Sequence, residues 1–324
     1  MAAWRVRMIM KRRMKMAKKL INTKEISHEE WLTLRKKSIG GSDAGALVDM
    51  NPYQSPISLY ADKMGLSKPK ESNEAMRIGT DLEDYVARRW MEKTEKKVRQ
   101  DNFMYQDDEF EFITANIDRD VVGENAGLEC KTMSSFAKYD LEGGEVPAMY
   151  FAQCQHYMMV RGYNKMYLAI LVLQRGLYHF EIERDEEFIS QLRDAEVSFW
   201  REYIEKNQMP APDGSDSSME ALKELFPEGG GECYLPNADE EIGKYRELSD
   251  LIKKLKGQQE EIQQRLCERL GNRAVGTDTK YGCSWKNQKR TSVDSKKLKA
   301  EFPEAYEAVK KESEYRVFRT KKMA

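Results

Sequence analysis

The sequence predicts an α/β domain followed by a helical and small β extension, and three observations support this prediction. Along residues 27–207 the hydrophobic period alternates between helical and strand-like, in the order helix, three strands, helix, two strands, helix. A segment rich in Pro, Gly and Ser at 210–218 is typical of a linker. The charged segment 239–270 then places apolar residues near heptad spacing. With 324 residues, 40% of them hydrophobic, the chain is long enough to bury a core.

Helices are predicted before the first strand. Residues 27–37 begin with Ser27 and carry Glu30 three residues later, which is the pattern of a capping box. A glycine-rich break follows, and a second helix is expected to begin with Ser42 or Asp43 as its N-cap. Each of these starts rests on a side-chain oxygen that can accept from an otherwise unpaired backbone N–H.

A longer amphipathic helix at 73–94, with Met76 among its apolar positions, leads into the strands. Three short segments rich in β-branched and aromatic residues follow, separated by polar turns. They predict an antiparallel meander of consecutive strands at 98–106, 110–122 and 126–133.

The second half of the domain repeats this alternation. Residues 147–162 begin with Pro and end with Gly, as a helix does. Two further strands are predicted at 165–176 and 177–184, and the first is so apolar that we expect it inside the sheet. A helix at 185–207 closes the domain.

The extension is predicted from a long helix and a basic tail. For the helix, an amphipathic helix lying on its own domain is favoured over a coiled-coil arm. The tail is predicted as a short basic β unit around a small helix. Trp285 lies there beside Lys286, Lys289 and Arg290, which suits either stacking on DNA or a buried indole next to a solvated basic edge.

The expected organisation has five parts. They are a basic, disordered extension at 1–20, an α/β domain at 21–209, a linker at 210–238, a long amphipathic helix at 239–271, and a basic β/α unit at 272–324.

Charge is distributed unevenly although the total is only −1. Residues 1–20 carry eight basic and no acidic residues, and residues 272–324 carry fourteen basic and seven acidic ones. The residues between them therefore hold a net charge of −16. An acidic body between basic ends makes the chain a candidate nucleic-acid-binding protein with an acidic working site.

Several classes of protein are excluded. No run of 18 apolar residues exists, so we expect no membrane span. Five scattered cysteines without a CxxC pair fit a reducing cytosol and argue against a structural zinc site. Only three histidines are present, and no GxxxxGK[ST], GxGxxG or GxSxG motif occurs. Nucleotide-cradling loops and serine-hydrolase chemistry therefore have no support.

One constellation of residues points to chemistry. Glu129 and Lys131 are two residues apart in a predicted strand and share a face, and a hairpin can bring Asp118 onto it. The two carboxylates and the Cys130 carbonyl make an all-oxygen site for Mg²⁺ or Mn²⁺. Lys131 can then orient or deprotonate a water, or hold a phosphate, and Glu83 is a possible third carboxylate. Alternating charges on the solvated face of a strand are the alternative.

Further motifs lie in order around these residues. They are Glu30-Trp31, Arg35, IGGSDA at 39–44, Asn51-Pro52-Tyr53, Ser55-Pro56, GTDLE at 79–83, Asp118, GLECK at 127–131 and Gln153-x-x-x-Tyr157, with weaker matches in SWK at 284–286 and RVFR at 316–319. Together they resemble the PD-(D/E)XK nuclease superfamily and, more narrowly, the YqaJ-type phage recombination exonucleases related to lambda exonuclease. The ordered match covers residues 28–207.

The resemblance implies a restriction-endonuclease-like core, in which helices flank a central mixed sheet. It also implies that Asp118, Glu129 and the Cys130 carbonyl bind the metal, that Glu83 completes the metal site, and that Lys131 serves the nucleophilic water.

Further residues acquire implied roles in the same way. Gln153 and Tyr157 match the family's QxxxY and would support the site or the DNA strand, with ordinary helix polarity as the alternative. Arg35 and Ser42 keep the spacing of a 5′-phosphate pocket, for which a surface arginine and a plain N-cap are the alternative. One departure is Asn116, which stands where related enzymes have a serine that contacts phosphate.

The implied activity is that of a deoxyribonuclease dependent on Mg²⁺, which Mn²⁺ can replace, with two ions in the site. It would degrade linear double-stranded DNA from a 5′ end and leave a 3′ overhang for a RecT-type annealing protein. The expected setting is phage or prophage recombination in the cytoplasm of a bacterial host, with a homo-oligomer that relatives form as a ring trimer. The alternatives are an endonuclease on branched or single-stranded DNA, a non-catalytic scaffold that binds DNA ends, and a coiled-coil interaction protein.

Overall fold

The computed structural model describes residues 17–68, 73–137 and 139–322. The chain divides into two compact units, residues 1–227 and 228–324. Among the described helices, none combines the length and the apolar character that crossing a membrane requires.

The strands of this described part are, in chain order, β1 (Lys18–Asn22), β2 (Val98–Gln100), β3 (Phe103–Gln106), β4 (Thr114–Asn116), β5 (Arg119–Val121), β6 (Ala126–Met133), β7 (Lys165–Val172), β8 (Gly176–Glu183), β9 (Val275–Thr277) and β10 (Gly282–Ser284). The α-helices are α1 (His28–Lys36), α2 (Gly41–Ala44), α3 (Pro56–Lys63), α4 (Glu74–Thr94), α5 (Ala148–Arg161), α6 (Glu186–Phe199), α7 (Asp216–Leu225), α8 (Ala238–Leu270), α9 (Ser295–Glu301) and α10 (Pro303–Val309). A π-helical turn at Trp200–Ile204 continues α6.

A five-stranded mixed sheet lies at the centre of the first unit, in the spatial order β2-β5-β6-β7-β8. The β6–β7 pair is parallel and the other pairs are antiparallel. Helix α5 makes the crossover that a parallel pair requires. The mixed α/β fold with a central mixed sheet is therefore confirmed, and the apolar β7 lies inside the sheet as expected.

Side chains of β6 and β7 alternate between two apolar clusters. Leu128 and Cys130 of β6 pack with α4, whose buried face includes Trp90. Leu168 of β7 points the other way and packs with Met158 of α5. This alternation is the period of two expected of a strand covered by helices on both faces. Met76, expected on the apolar stripe of α4, is 52% exposed instead.

The predicted meander is wrong in detail because its first two strands are broken. The chain leaves the ladder at 101–102 and again at 117–118, so β3 pairs with β1 and with β4 in a separate three-stranded sheet of the order β1-β3-β4. Asp101 stabilises the first break, since its carboxylate accepts the Phe103 N–H at 3.2 Å. Short acidic side chains compete with the ladder for backbone donors in this way. Asp118 consequently lies at the junction of two sheets rather than within a strand.

The expected extension at 1–20 also needs correction. Residues 1–16 lie outside the described residues, but β1 begins at Lys18, inside the predicted extension. It pairs antiparallel with β3, and the sheet is continued by the Thr23 N–H, which donates to the Asn102 carbonyl at 2.7 Å. The backbone groups along the edge of β3 need hydrogen-bond partners, and β1 supplies them, which accounts for the order of this segment.

Two helix predictions change as well. Helix α1 has the predicted capping box of Ser27 and Glu30. Helix α2 is capped by Gly40 rather than by Ser42 or Asp43, because the Asp43 carboxylate accepts the Gly40 N–H at 3.0 Å.

The predicted linker at 210–238 contains helix α7. Ser215 caps this helix, and its apolar face, with Ala221 buried, packs against α3. The hydroxyl of Ser217 accepts the Ser55 N–H at 3.1 Å, so the segment is docked rather than free. The turn-forming residues at 210–218 favoured the prediction of a linker, so the short amphipathic helix α7 was not predicted.

The second unit consists of α8, the β9–β10 hairpin and the short helices α9 and α10. The favoured interpretation, in which the long helix lies on its own domain, stays a prediction. The stripe residues are between 37% and 53% exposed, and they are Tyr245, Leu248, Ile252, Leu255, Ile262 and Leu266. Within the predicted β unit at 272–324, the described strands are β9 and β10, and residues 313–322 contain no strand.

Candidate active site

Strand β6 brings two of the predicted residues together. Glu129 and Lys131 project from one face of the strand, and the Lys131 ammonium lies 2.6 Å from Glu129 Oε1. Glu129 is only 3% exposed and the Lys131 side chain 24%, so the carboxylate of this ion pair is shielded from solvent while the lysine remains partly accessible. The i, i+2 spacing predicted the shared face, and the covering helix α5 produces the burial.

Asp118 reaches the same place from the junction of β4 and β5. The β5–β6 ladder ends at the pair Arg119 and Leu128. Beyond this pair, the Asp118 side chain takes the place of a backbone partner for β6. Asp118 Oδ2 accepts the Cys130 N–H at 2.8 Å. The structure therefore places both predicted carboxylates next to each other.

Helix α5 adds the predicted glutamine and tyrosine. The Gln153 side-chain amide donates to Glu129 Oε1 at 2.7 Å and to the Tyr157 hydroxyl at 2.8 Å. A Cβ on Gly41 would lie 2.5 Å from the Tyr157 ring, so a glycine there lets α2 approach α5. Gln153 and Tyr157 thus hold the Glu129 carboxylate in one orientation.

The site carries more negative charge than its lysine offsets. Burial raises the pKa of Asp118 well above its usual value, and the carboxylates of Glu129 and Glu83 raise it further. Burial also raises the pKa of Glu129, although Lys131 opposes that shift. Burial disfavours the Lys131 ammonium, but the carboxylates of Glu129 and Asp118 outweigh it and raise the pKa of Lys131. A bound cation would relieve this excess charge.

Glu83 lies beside the two carboxylates but has a partner of its own. Its Oε1 accepts from Arg119 Nη1 at 2.6 Å, and the same guanidinium donates to the Asp118 carbonyl at 2.7 Å. Arg119, which is only 4% exposed, was not predicted from the sequence as part of the site. The available signal was its period-two spacing from the apolar Val121, which points both side chains inward along β5.

The donor set partly fits a divalent metal. Glu129 Oε2 is buried and has no hydrogen-bond partner among the described residues, which is costly unless a cation occupies its lone pairs. Carboxylate and carbonyl oxygens are the ligands Mg²⁺ prefers. No group of three or more His, Cys, Asp or Glu in the described ranges is arranged to hold a metal. The oxygens that would hold such an ion are those of the Asp118 and Glu129 carboxylates and of the Cys130 carbonyl.

The two residues predicted for the 5′-phosphate also meet. Arg35 Nη2, at the end of α1, donates to the Ser42 hydroxyl, and the guanidinium lies 4.8 Å from the centre of the Trp31 ring. Lys63 connects the two segments, since it forms a buried ion pair with Asp43 of α2 and its Nζ also donates to the Arg35 carbonyl of α1 at 2.9 Å. Helix α2 has only four residues, so it adds little of the helix dipole expected near Ser42.

His156 is a satisfied core histidine. It is fully buried, with Nδ1 2.7 Å from Glu196 Oε1 and Nε2 2.8 Å from the Thr114 carbonyl. The Cys130 thiol is buried too, and burial raises its pKa well above the usual value. Neither group faces a substrate as a base or a nucleophile.

Comparison with known proteins identifies the class. Residues 30–164 match the model of the YqaJ-like viral recombinase domain. The uncharacterized protein YqaJ of Bacillus subtilis (strain 168) is 37% identical over 316 residues, which is 96% of this chain and 99% of that protein. The chain belongs to the YqaJ-like viral recombinase family.

Two crystal structures are similar to part of the chain. An alkaline exonuclease (LHK-Exo) from Laribacter hongkongensis is 20% identical and has a TM-score of 0.47, covering 55% of this chain and 97% of that one. A phage-related exonuclease from Haemophilus somnus 129PT is 15% identical and has a TM-score of 0.40, with coverage of 47% and 82%.

Proposed function

We propose that this chain is a Mg²⁺-dependent deoxyribonuclease that degrades linear double-stranded DNA from the 5′ end. The observation that carries the proposal is the buried cluster of Asp118, Glu129 and Lys131, in which Glu129 Oε2 has no hydrogen-bond partner among the residues that the structure describes. Membership of a viral recombinase family supports a DNA substrate and a role in recombination.

The chain's own residues divide the work. Asp118, Glu129 and the Cys130 carbonyl would hold Mg²⁺, or Mn²⁺ in its place, and a bound ion supplies Lewis-acid polarisation and an acidic water. Lys131, fixed against Glu129, donates hydrogen bonds to the attacking water or to the scissile phosphate. Glu83 positions Asp118 through Arg119 and is the remaining carboxylate available to a second ion.

Two pairs of residues would position the metal ligand and the DNA end. Gln153 and Tyr157 orient the Glu129 carboxylate. Arg35 and Ser42 would receive a 5′-phosphate, since the fork of an arginine pairs with phosphate oxygens bidentately. A pocket for the 5′ end would direct the enzyme to linear DNA and leave the 3′ strand as an overhang.

The wider context is part of the same proposal. The overhang would be passed to a RecT-type single-strand annealing protein, in a phage or prophage pathway of a bacterial host. The working form would be a homo-oligomer, a ring trimer around DNA. Native mass measurements with and without DNA test the oligomer directly.

The activity test uses linear duplexes with 5′-phosphate or 5′-hydroxyl ends and a closed circle, each with Mg²⁺ or EDTA. Lys131→Ala is compared with Lys36→Ala, an exposed lysine of α1. We expect metal-dependent loss of the linear substrates only, faster with 5′-phosphate, abolished by Lys131→Ala and retained by Lys36→Ala.

Two outcomes would replace the proposal. Cutting of the closed circle would indicate an endonuclease. Binding of DNA ends without cleavage in Mg²⁺ or Mn²⁺ would indicate a scaffold that kept the fold.

A further inference from the structure

The second unit holds a cleft next to an exposed indole. The cleft has a volume of about 630 Å³ and lies between the C-terminal end of α8 and the residue that follows β10. Trp285 forms one wall, and the other lining residues are Gln263, Gln264, Cys267, Glu268, Gly271 and Asn272, three of which carry a carboxamide side chain. Trp285 is 57% exposed, so the alternative of a buried indole is wrong.

The hairpin fixes the position of this tryptophan. The Trp285 N–H donates to the Ala274 carbonyl at 2.9 Å and so extends the β9–β10 ladder. Gly276 on the facing strand lets the hairpin lie against Leu270, because a Cβ there would come within 2.9 Å of Leu270 Cδ2. The backbone that carries the indole is therefore set before any ligand arrives.

Glu268 is the one acidic residue that lines the cleft, and the chain segment that carries Trp285 is basic. Residues 279–293 include four basic residues and no Asp or Glu, and the basic ones are Lys280, Lys286, Lys289 and Arg290. All four are exposed, and none forms an ion pair within the described part of the chain. Tyr281, at the tip of the hairpin, is 84% exposed.

We propose that this cleft and the basic segment beside it form a binding site for single-stranded DNA. An exposed indole stacks on the face of a base, amide side chains bond to base edges, and unpaired lysines and arginines track the phosphates. Base faces in a duplex are covered by their neighbours, so the site favours a single strand. Its occupant would be the overhang that the proposed nuclease leaves, but binding itself requires no cleavage.

The test measures anisotropy of a labelled oligothymidylate with the full chain in EDTA, where cleavage does not occur. We expect Trp285→Ala to weaken binding about tenfold, since one base–aromatic stack is lost, and Trp285→Phe to restore most of it. Tyr234→Ala is the matched control, because Tyr234 is an 88% exposed aromatic of the same unit outside the cleft.

Salt dependence tests the electrostatic half of the site. The double variant Lys289→Ala/Arg290→Ala should lower the slope of log affinity against log salt by about 1.4, at about 0.7 per phosphate contact on a single strand. Unchanged binding by Trp285→Ala, or a duplex that binds as tightly as the single strand, would overturn the proposal. Either result leaves the nuclease proposal standing, since that is tested by cleavage alone.

Discussion

The two units of this chain differ in whether their apolar and charged residues are buried or exposed. In residues 1–227, aliphatic side chains such as Leu168 are fully buried, and the charges of the candidate site lie inside the fold. In the described part of residues 228–324, Leu270 is the one buried hydrophobic residue, and aromatic and basic residues face solvent. A unit with its own core can hold poorly compensated charges in place, whereas a unit with exposed aromatics gains by binding another molecule.

The largest expected effect is on the buried carboxylates of the first unit. Glu129→Gln keeps the shape of the side chain. It removes the negative charge that faces Lys131, and with it the carboxylate whose Oε2 has no hydrogen-bond partner in the described part of the chain. We expect degradation of linear duplex DNA to fall at least about a thousandfold, as for loss of a group that acts on the reacting atoms. The measurement is the initial rate on a labelled duplex, and a near-parental rate would contradict the assigned role.

A pair of leucines compares the cores of the two units. Leu168→Ala should cost about 2–5 kcal/mol of unfolding free energy, because the side chain is fully buried. Leu255→Ala, at a 53% exposed position of α8, should cost less than about 1 kcal/mol. Denaturant unfolding of both variants measures the difference. Equal costs would show that α8 is buried in solution.

The buried pair of His156 and Glu196 makes the free energy of unfolding depend on pH. Burial opposes the imidazolium of His156, but the Glu196 carboxylate outweighs it and raises the pKa of His156. The stabilisation is therefore complete below the unfolded-state pKa of about 6.5 and is lost as pH rises through the raised folded-state pKa. Glu196→Gln should cost about 1–3 kcal/mol at low pH and progressively less as pH rises.

Chemical denaturation of the parent and Glu196→Gln across pH checks this sign. A stability difference that grows with rising pH would contradict the assignment of a charged His156.

Glycine 41 sets how closely α2 approaches the site. In Gly41→Ala the new methyl group would lie 2.5 Å from Cε1 of Tyr157, so one of the two must shift. We expect a cost of about 1–3 kcal/mol, together with slower cleavage, because Tyr157 and Gln153 orient Glu129. Gly79→Ala, whose Cβ meets only the Thr132 hydroxyl at 3.5 Å, is the control for thermal unfolding and rate.

The smallest expected effect concerns the end pocket. Arg35→Ala should reduce the preference for 5′-phosphate over 5′-hydroxyl ends about tenfold, while leaving cleavage of 5′-hydroxyl ends nearly unchanged. Competition between the two duplexes in one tube measures that ratio. An unchanged ratio would remove Arg35 and Ser42 from phosphate binding.

Local sequence patterns predicted much of the first unit and little of its long-range pairing. The i, i+2 spacing of Glu129 and Lys131 fixed their shared face, and the capping residues located α1. The break before Asp118 was missed, because hydrophobic period identifies a strand but does not say which sheet accepts it. Arg119 was missed for a related reason, since its burial follows from partners distant in sequence.

The second unit was predicted less well because apolar spacing alone does not say what covers a helix. Heptad spacing located α8, yet its stripe is half exposed. Trp285 was left between two interpretations, and only its exposure decides between them.

The most direct test of the central claim is the binding of Mn²⁺ to the full chain, followed by paramagnetic resonance without DNA. We expect that the parent binds the ion, that Glu129→Gln and Asp118→Asn lose it, and that Lys36→Ala retains it. Equal Mn²⁺ binding by the parent and Glu129→Gln would contradict the claim that this buried carboxylate pair is a metal site.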